Sequence, residues 1–141
     1  MPSPASALNT GSSRLISSSG EIDPAITLLE AGETGLGSAP SGPFLASRQF
    51  AVKVPDGART VTIALEGDHD VDLYVRINAP VYIGGTGFPQ ADFVSNSEDS
   101  RELIRLSAPT GEILRAGVYV IGVYNYSQET STFKVRTQID Y

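Results

Sequence analysis

The 141-residue sequence contains no cysteine and a single histidine, His69. A chain without thiols has no disulfide framework, no zinc–thiolate or iron–sulfur site and no cysteine nucleophile. One histidine also excludes a metal site built on two histidines. Cysteine usage therefore gives no indication of the redox compartment, and thiol chemistry, thiolate metal sites and two-histidine metal sites are excluded.

Long hydrophobic runs are also absent from the sequence. No segment approaches the roughly 18 apolar residues of a transmembrane helix. The first residues, Met-Pro-Ser-Pro-Ala, lack the basic and apolar regions of a signal peptide. We therefore expect a soluble chain without membrane insertion, and these first residues leave its localisation open.

Positive charge is scarce, with 10 Lys and Arg against 16 Asp and Glu and a formal net charge of −6. The basic residues are scattered along the sequence. Because a phosphate backbone is bound by clustered positive charge, we predict that nucleic acid is not a partner.

Composition changes near residue 43, since 20 of the first 43 residues are Pro, Gly or Ser. This front part is predicted to be linker-like, with residues 1–24 as a flexible segment. Within it, residues 1 to about 20 are expected to make few contacts with the rest of the domain. Residues 21–30 hold enough apolar side chains to order, as a short helix or as a strand over 25–30. The glycines that follow favour a strand and a turn.

From residue 48 onwards, apolar and polar residues alternate in short runs separated by turn residues. This pattern is typical of strands that bury one face, and no stretch of about 12 residues keeps a helical period. We predict one all-β domain over residues 25–141, an antiparallel β-sandwich of about eight strands that includes a short strand from Leu103 to Leu106. The predicted core consists of Phe50, Val52, Val61, Ile63, Leu65, Leu73, Val75, Tyr119, Ile121, Val123, Phe133 and Val135.

Four blocks occur in an order that resembles the bacterial pre-peptidase C-terminal domain: residues 49–58, 61–67, 70–76 and 117–127. The most specific of them is the segment Asp-Val-Asp-Leu-Tyr-Val-Arg at residues 70–76. The resemblance covers about residues 28–137. It departs from the family pattern in an insert from Ala79 to Phe93 and in a longer turn from Thr110 to Arg115.

The resemblance implies a β-sandwich of jelly-roll type without catalytic activity. The family accompanies secreted bacterial peptidases and other extracellular proteins, and it is similar to the collagen-binding domain of clostridial collagenases. We therefore expect a secreted or cell-surface protein. A peptidase encoded in the same gene product is an expected partner.

The residue types available for catalysis also argue against an enzyme. A serine–histidine–aspartate triad would need His69 as its base, yet this residue lies between Asp68 and Asp70 in a predicted turn. No Gly-x-Ser-x-Gly motif occurs. We interpret His69 as a solvated turn residue and predict that the protein is not an enzyme.

Acidic residues are concentrated at Asp68, Asp70 and Asp72, and Glu98 and Asp99 form a second acidic stretch. Carboxylates that leave a loop in alternation can converge on one Ca²⁺ ion. In relatives of the resembling family, acids of the N-terminal linker also bind calcium, for which this chain offers Glu21 and Asp23. Alternatively, the first two aspartates cap a turn, Asp72 protects a strand edge, and Arg76 or a backbone amide offsets the charge.

Tyrosines define the second candidate site. If the core prediction holds, Tyr74, Tyr124 and Tyr126 lie on the outer face of their strands. Exposed tyrosines suit the binding of extended polymers, and in the collagen-binding relatives such tyrosines contact the ligand. The alternative is that they only stabilise the sheet. Asn125-Tyr126-Ser127 also fits a glycosylation sequon, which we interpret as a hairpin turn.

The sequence thus leaves two functions open. One is an extracellular accessory module that binds a matrix protein or a polysaccharide, together with Ca²⁺. The other is a structural or processing extension that assists secretion or folding of a linked peptidase and is later removed. A sandwich with a polar surface suffices for both, so neighbouring sequence in the gene is needed to separate them.

Overall fold

The computed structural model describes residues 26–40, 44–46, 48–85, 89–96 and 100–141. The segment predicted to be flexible, residues 1–24, lies outside these residues, as do the candidate ligands Glu21, Asp23, Glu98 and Asp99. The proposed boundary at residue 25 therefore stays a prediction.

Strands make up the regular structure of the described residues, which contain no helix and hence no helix able to span a membrane. Eight strands have four or more residues, in agreement with the predicted number, and four shorter ones were not predicted. The strands are β1 (Ile26–Leu29), β2 (Thr34–Ala39), β3 (Phe44–Leu45), β4 (Gln49–Val54), β5 (Thr60–Gly67), β6 (Val71–Ile77), β7 (Tyr82–Ile83), β8 (Pro89–Gln90), β9 (Phe93–Ser95), β10 (Arg101–Ser107), β11 (Gly117–Asn125) and β12 (Ser131–Asp140).

The long strands form two sheets that pack face to face. One has the order β1-β4-β11-β6-β9, with β3 added to β11, and the other has the order β10-β5-β12-β2. The short strands β7 and β8 pair with each other outside both sheets. This confirms the predicted β-sandwich, in which the pairing is antiparallel except between β1 and β4.

The core lies between the two sheets, where the alternating residues of facing strands meet. Leu73 is fully buried, which confirms the predicted register of β6, because a slip by one residue would have exposed it. All twelve predicted core residues are buried, and Leu29, Val54, Val71 and Ile104 join them.

The structure corrects the linker-like reading of residues 26–40, which contribute β1 and β2 to the sandwich. The short strand at residues 26–29 confirms the strand alternative, whereas β2 was not predicted because it is rich in glycine. Phe50 and Phe133 pack edge to face with centroids 6.3 Å apart. A Cβ atom on Gly35 or Gly37 would lie 2.7 Å from one of these rings, so here glycine provides room for core aromatics.

Candidate functional site

The acidic segment at residues 68–72 divides into two parts. Asp68 lies at the start of the turn between β5 and β6 and faces β12. Its Oδ1 accepts hydrogen bonds from the Ser131 hydroxyl (2.7 Å) and the Thr132 amide (3.0 Å), and its Oδ2 accepts one from the Thr132 hydroxyl (3.0 Å). The Ser131 hydroxyl contributes most to lowering the pKa of Asp68 to about 2. Asp68 therefore ties the turn to β12 and stands apart from the other two aspartates.

His69 is held between two carboxylates. Its Nδ1 lies 3.0 Å from Asp68 Oδ1, and its Nε2 lies 3.4 Å from Glu129 Oε2. The ring is half-buried, so the interpretation as a merely solvated residue is incomplete. Both ring nitrogens face carboxylates, which leaves neither directed at a hydroxyl nucleophile.

Asp70 and Asp72 come together with Glu102 of β10. One carboxylate oxygen of each residue lies within 4.8 Å of the other two. Asp72 and Glu102 are only 3% and 5% exposed. Because β6 and β10 belong to different sheets, the three acids form a cluster that bridges the sandwich at one side, which we call the carboxylate cluster.

Asp72 contributes to the carboxylate cluster a buried oxygen, Oδ1, which no donor in the described part of the chain reaches. Burial, and then the negative charges of Asp70 and Glu102, raise the pKa of Asp72 to about 7. Like charges this close are unfavourable unless a proton or a cation is shared between them.

Sequence reasoning missed Glu102, although a signal was present. Glu102 lies two residues before the buried Ile104 on β10, so both side chains point to the same face of the strand. A strand predicted to begin at residue 101 would therefore have placed the Glu102 carboxylate on the inner face. Its Oε1 accepts a hydrogen bond from the Ser95 hydroxyl at 2.6 Å.

The structure corrects the roles expected for Arg76 and for Asp72. Arg76 was the expected counter-ion, but its guanidinium donates to the Pro80 carbonyl at 3.0 Å and stacks over the Tyr82 ring at 4.9 Å. Asp72 does not protect a sheet edge, because β6 pairs with β11 on one side and with β9 on the other.

The three candidate tyrosines do form a cluster on the outer face of β6 and β11. The Tyr74 and Tyr124 rings lie 6.1 Å apart, and the Tyr124 and Tyr126 rings lie 4.7 Å apart, both edge to face. The expected exposure is wrong for two of them, since Tyr74 is 7% and Tyr124 3% exposed, against 40% for Tyr126. Burial accordingly raises the pKa of the Tyr74 hydroxyl.

The insert that begins at Ala79 causes this burial. Val81 packs on Tyr74 and Tyr124. Gln49 holds it in place, because its side-chain oxygen accepts from the Val81 amide (2.9 Å) and its side-chain nitrogen donates to the Val81 carbonyl (2.6 Å). Gly122 allows the approach, since a Cβ there would lie 2.8 Å from the Val81 Cβ.

Asn125 confirms the interpretation of the sequon as a turn. Its side chain is fully buried at the end of β11. The amide nitrogen donates to the carbonyl oxygens of Ala39, Pro40 and Glu129, and the amide oxygen accepts from Ser127. An asparagine held in this way closes the β11–β12 connection and is inaccessible to a glycosylating enzyme.

The fold matches that of the pre-peptidase C-terminal domain of a collagenase from Bacillus anthracis, with a TM-score of 0.57 and 12% identity over 80% of this chain and 94% of that chain. A de novo designed double-stranded β-helix matches with a TM-score of 0.37 and 15% identity, over 75% of this chain and 99% of the design. No family model and no curated protein matches the chain. The resemblance carried by the four sequence blocks is thus confirmed for the fold.

Proposed function

We propose that this domain is a non-catalytic extracellular accessory module of the pre-peptidase C-terminal type, and that a Ca²⁺ ion bound by Asp70, Asp72 and Glu102 joins its two sheets. The observation that carries the metal proposal is the buried Asp72 oxygen without a donor among the described residues, on a side chain whose carboxylate lies within 4.8 Å of those of Asp70 and Glu102.

The donor set suits a hard cation. Ca²⁺ takes six to eight oxygen ligands, and three carboxylates supply up to six when each binds through both oxygens. A bound cation would also remove the repulsion between Asp70, Asp72 and Glu102. Because these acids come from β10 and from the start of β6, the ion would stabilise the contact between the sheets and so favour the folded state.

The accessory role is supported by the fold and by the surroundings of His69. The structural neighbour is the pre-peptidase C-terminal domain of a collagenase, a class of secreted enzyme, which supports an extracellular location. With carboxylates at both ring nitrogens, His69 is poorly placed to act as a base. A processing extension of a linked peptidase fits the same fold. The upstream sequence of the gene, and the yield of active peptidase with and without this domain, would distinguish the two.

Calorimetric titration with Ca²⁺ and thermal unfolding in Ca²⁺ or chelator test the metal proposal. The wild type should bind Ca²⁺ with measurable heat and unfold at a higher temperature in its presence. Asp72→Asn should lose both effects, whereas the exposed control Asp56→Asn should keep them. Absence of heat and of any thermal shift in the wild type would refute the calcium site.

Asp72→Asn remains informative in chelator. The amide removes a buried negative charge, so at pH 8 without Ca²⁺ the variant should unfold at a higher temperature than the wild type. This gain would distinguish loss of a metal ligand from general damage to the fold. A lower unfolding temperature in both buffers would count against the proposal.

Among the three candidate tyrosines, Tyr126 is the one with a solvent-exposed ring, so a polymer bound at this cluster would contact Tyr126. Contact with a matrix protein or a polysaccharide would involve Tyr126, with Tyr124 and Tyr74 supporting it from below. Tyr126→Ala should then weaken pull-down on collagen or on an insoluble glycan, while Tyr141→Ala, which removes another exposed ring, should not. Equal retention of both variants would rule out this surface.

A further inference from the structure

The outer face of the β10-β5-β12-β2 sheet collects positive charge that is scattered in the sequence. Arg101 and Arg105 on β10 and Lys134 and Arg136 on β12 all lie exposed on this face. They are four of the ten basic residues of a chain with a net charge of −6. We call this surface the basic face.

Strand register explains why these residues meet. Glu66 of β5 lies between Arg101 and Lys134, and Ala64 lies between Leu103 and Arg136. Neighbouring strands are about 4.8 Å apart and alternate residues about 7 Å apart, so four strands span about 14 Å. Strand pairing thus brings together basic residues that lie about 30 positions apart in the sequence. No local sequence motif indicates this charged patch.

Most of this positive charge has no acidic partner. Glu66 forms an ion pair with Arg101 at 2.8 Å. Within the described ranges, no carboxylate forms an ion pair with Arg105, Lys134 or Arg136. The acids Asp68 and Asp140 lie toward opposite ends of the face, and Asp68 is already hydrogen-bonded to Ser131 and Thr132. The charge excess is therefore confined to the middle of the sheet.

The shape of the basic face suits an extended ligand. Two shallow depressions of about 670 and 650 Å³ adjoin there, and both are lined by Glu66 and Lys134. Together they cross the sheet from Leu36 on β2 to Leu103 on β10. Thr34 on β2 lies beside Arg136, and Thr62 on β5 lies beside Arg105, so their hydroxyl groups are available for hydrogen bonds next to the cations.

We infer that the basic face binds a linear acidic polysaccharide, whose carboxylate or sulfate groups contact Arg105, Lys134 and Arg136 while its hydroxyls contact the threonines. The described residues of this face carry no aromatic ring on which nucleic-acid bases could stack. Among the described residues of this face, the exposed large apolar side chains are Leu36 and Leu103, too few for the central anchors of a protein interface. A flat, polar face on which Arg105, Lys134 and Arg136 form no ion pair with a described carboxylate fits an anionic glycan best.

The inference does not depend on the calcium site or on Tyr126, and it adds a separate polymer-binding surface on the sheet opposite the tyrosines. Heparin serves as the sulfated probe, polygalacturonate as the carboxylated probe, and dextran as the neutral one. The full chain should bind one or both anionic polymers but not dextran, and more weakly at about 200 mM than at about 50 mM NaCl, since salt screens the contacts. Comparison of heparin with polygalacturonate shows whether the basic face binds sulfate groups or carboxylate groups of the polymer.

Lys134→Gln/Arg136→Gln should weaken binding about tenfold or more at low salt. The matched control Lys53→Gln/Arg115→Gln removes the same two charge types from exposed positions outside the basic face and should change affinity less than about twofold. Arg105→Gln, on another strand of the face, should also weaken binding. The Ca²⁺-dependent thermal shift should persist in all these variants, so failure here is separable from failure of the metal site.

Several results would overturn the inference. Equal weakening by the two double variants would show that only net charge matters. Absence of binding to both anionic polymers, or binding that ignores salt, would exclude an acidic glycan. Tighter binding of single-stranded DNA or of polyglutamate would assign the face to another class of ligand.

Discussion

Asp68 and Asp72 lie four residues apart in one acidic segment, yet the fold gives them opposite environments. Asp68 accepts hydrogen bonds from Ser131 and Thr132, and its pKa falls to about 2. Asp72 is buried beside Asp70 and Glu102, and its pKa rises to about 7. The protein itself supplies hydrogen-bond donors to the Asp68 carboxylate. The Asp72 carboxylate instead requires a proton or a cation to compensate its charge.

This difference shows that the number of donors around a carboxylate, and not the local density of acids, identifies a candidate metal ligand. Asp68 contributes to stability when it is ionised. Asp72 does so when it is neutral or when a cation compensates its charge. The predictions below use calcium and pH to separate the two residues.

The largest effect is expected for Leu73→Ala, which serves as the reference for this comparison. Leu73 follows Asp72 on β6 but is fully buried in the core. Truncation should lower the free energy of unfolding by about 2 to 5 kcal/mol, through lost burial and a residual cavity. Denaturant unfolding should give the same loss in Ca²⁺ and in chelator. A calcium-dependent loss would mean that buffer sensitivity is not specific to the acids.

The double variant Asp70→Asn/Asp72→Asn should cause the second-largest loss of unfolding free energy. This loss should occur only in the presence of Ca²⁺. A ligand at 100 times its dissociation constant stabilises a folded protein by about 2.7 kcal/mol, and the double variant should lose that contribution. Stability should therefore fall in Ca²⁺ but not in chelator. Asp68→Asn is the matched control and should lower stability to a similar extent in both buffers. Equal losses for the double variant would make its carboxylates purely structural.

Ser131→Ala tests the Asp68 side of the comparison. The buried Ser131 hydroxyl donates to Asp68, so its removal should lower the free energy of unfolding, independently of Ca²⁺. It should also move the pKa of Asp68 upward, which NMR titration of the carboxyl carbon would detect. Ser38→Ala, at an exposed position of the adjoining strand, is the control and should change neither quantity.

The sequence predicts the sandwich well where strands alternate apolar and polar residues. β5 and β12 were predicted with their buried faces because one-sided burial imposes a period of two. The core faces of β4, β6 and β11 were predicted in the same way, although the outer faces of these strands are largely buried as well. β2 was missed, since its glycines face aromatic rings and resemble a loop in sequence. Its identity depends on side chains such as Phe50 that are distant in the chain.

The candidate site was predicted only in part, for a similar reason. Asp70 and Asp72 are neighbours in sequence, but Glu102 joins them only through the packing of β10 beside β6. Burial of Tyr74 depends on Val81, which Gln49 holds in place. The basic face likewise arises from pairing between β10, β5 and β12. Local patterns carry none of these long-range contacts.

The smallest effect is the pH dependence of stability in chelator, which follows from the sign of the Asp72 shift. Its pKa rises from 3.8 to about 7 on folding, so the folded state holds the proton more tightly than the unfolded state. The stabilisation is complete below pH 3.8 and is lost as pH rises through 7. Asp68, with its lowered pKa, stays ionised between pH 5 and 8 and contributes no slope there.

Between pH 5 and 8, the wild type in chelator should therefore lose about 1 to 2 kcal/mol of unfolding free energy to this group, the full conversion of the shift being reduced by solvent screening. Asp72→Asn cannot ionise and should lack this loss, while the exposed control Asp56→Asn should retain it. Saturating Ca²⁺ should also abolish it in the wild type, because the bound cation favours the ionised carboxylate that repulsion otherwise disfavours. Urea unfolding at several pH values measures all three. If Asp72→Asn and the wild type show the same slope, the buried carboxylate is compensated by the protein, and the contrast with Asp68 disappears.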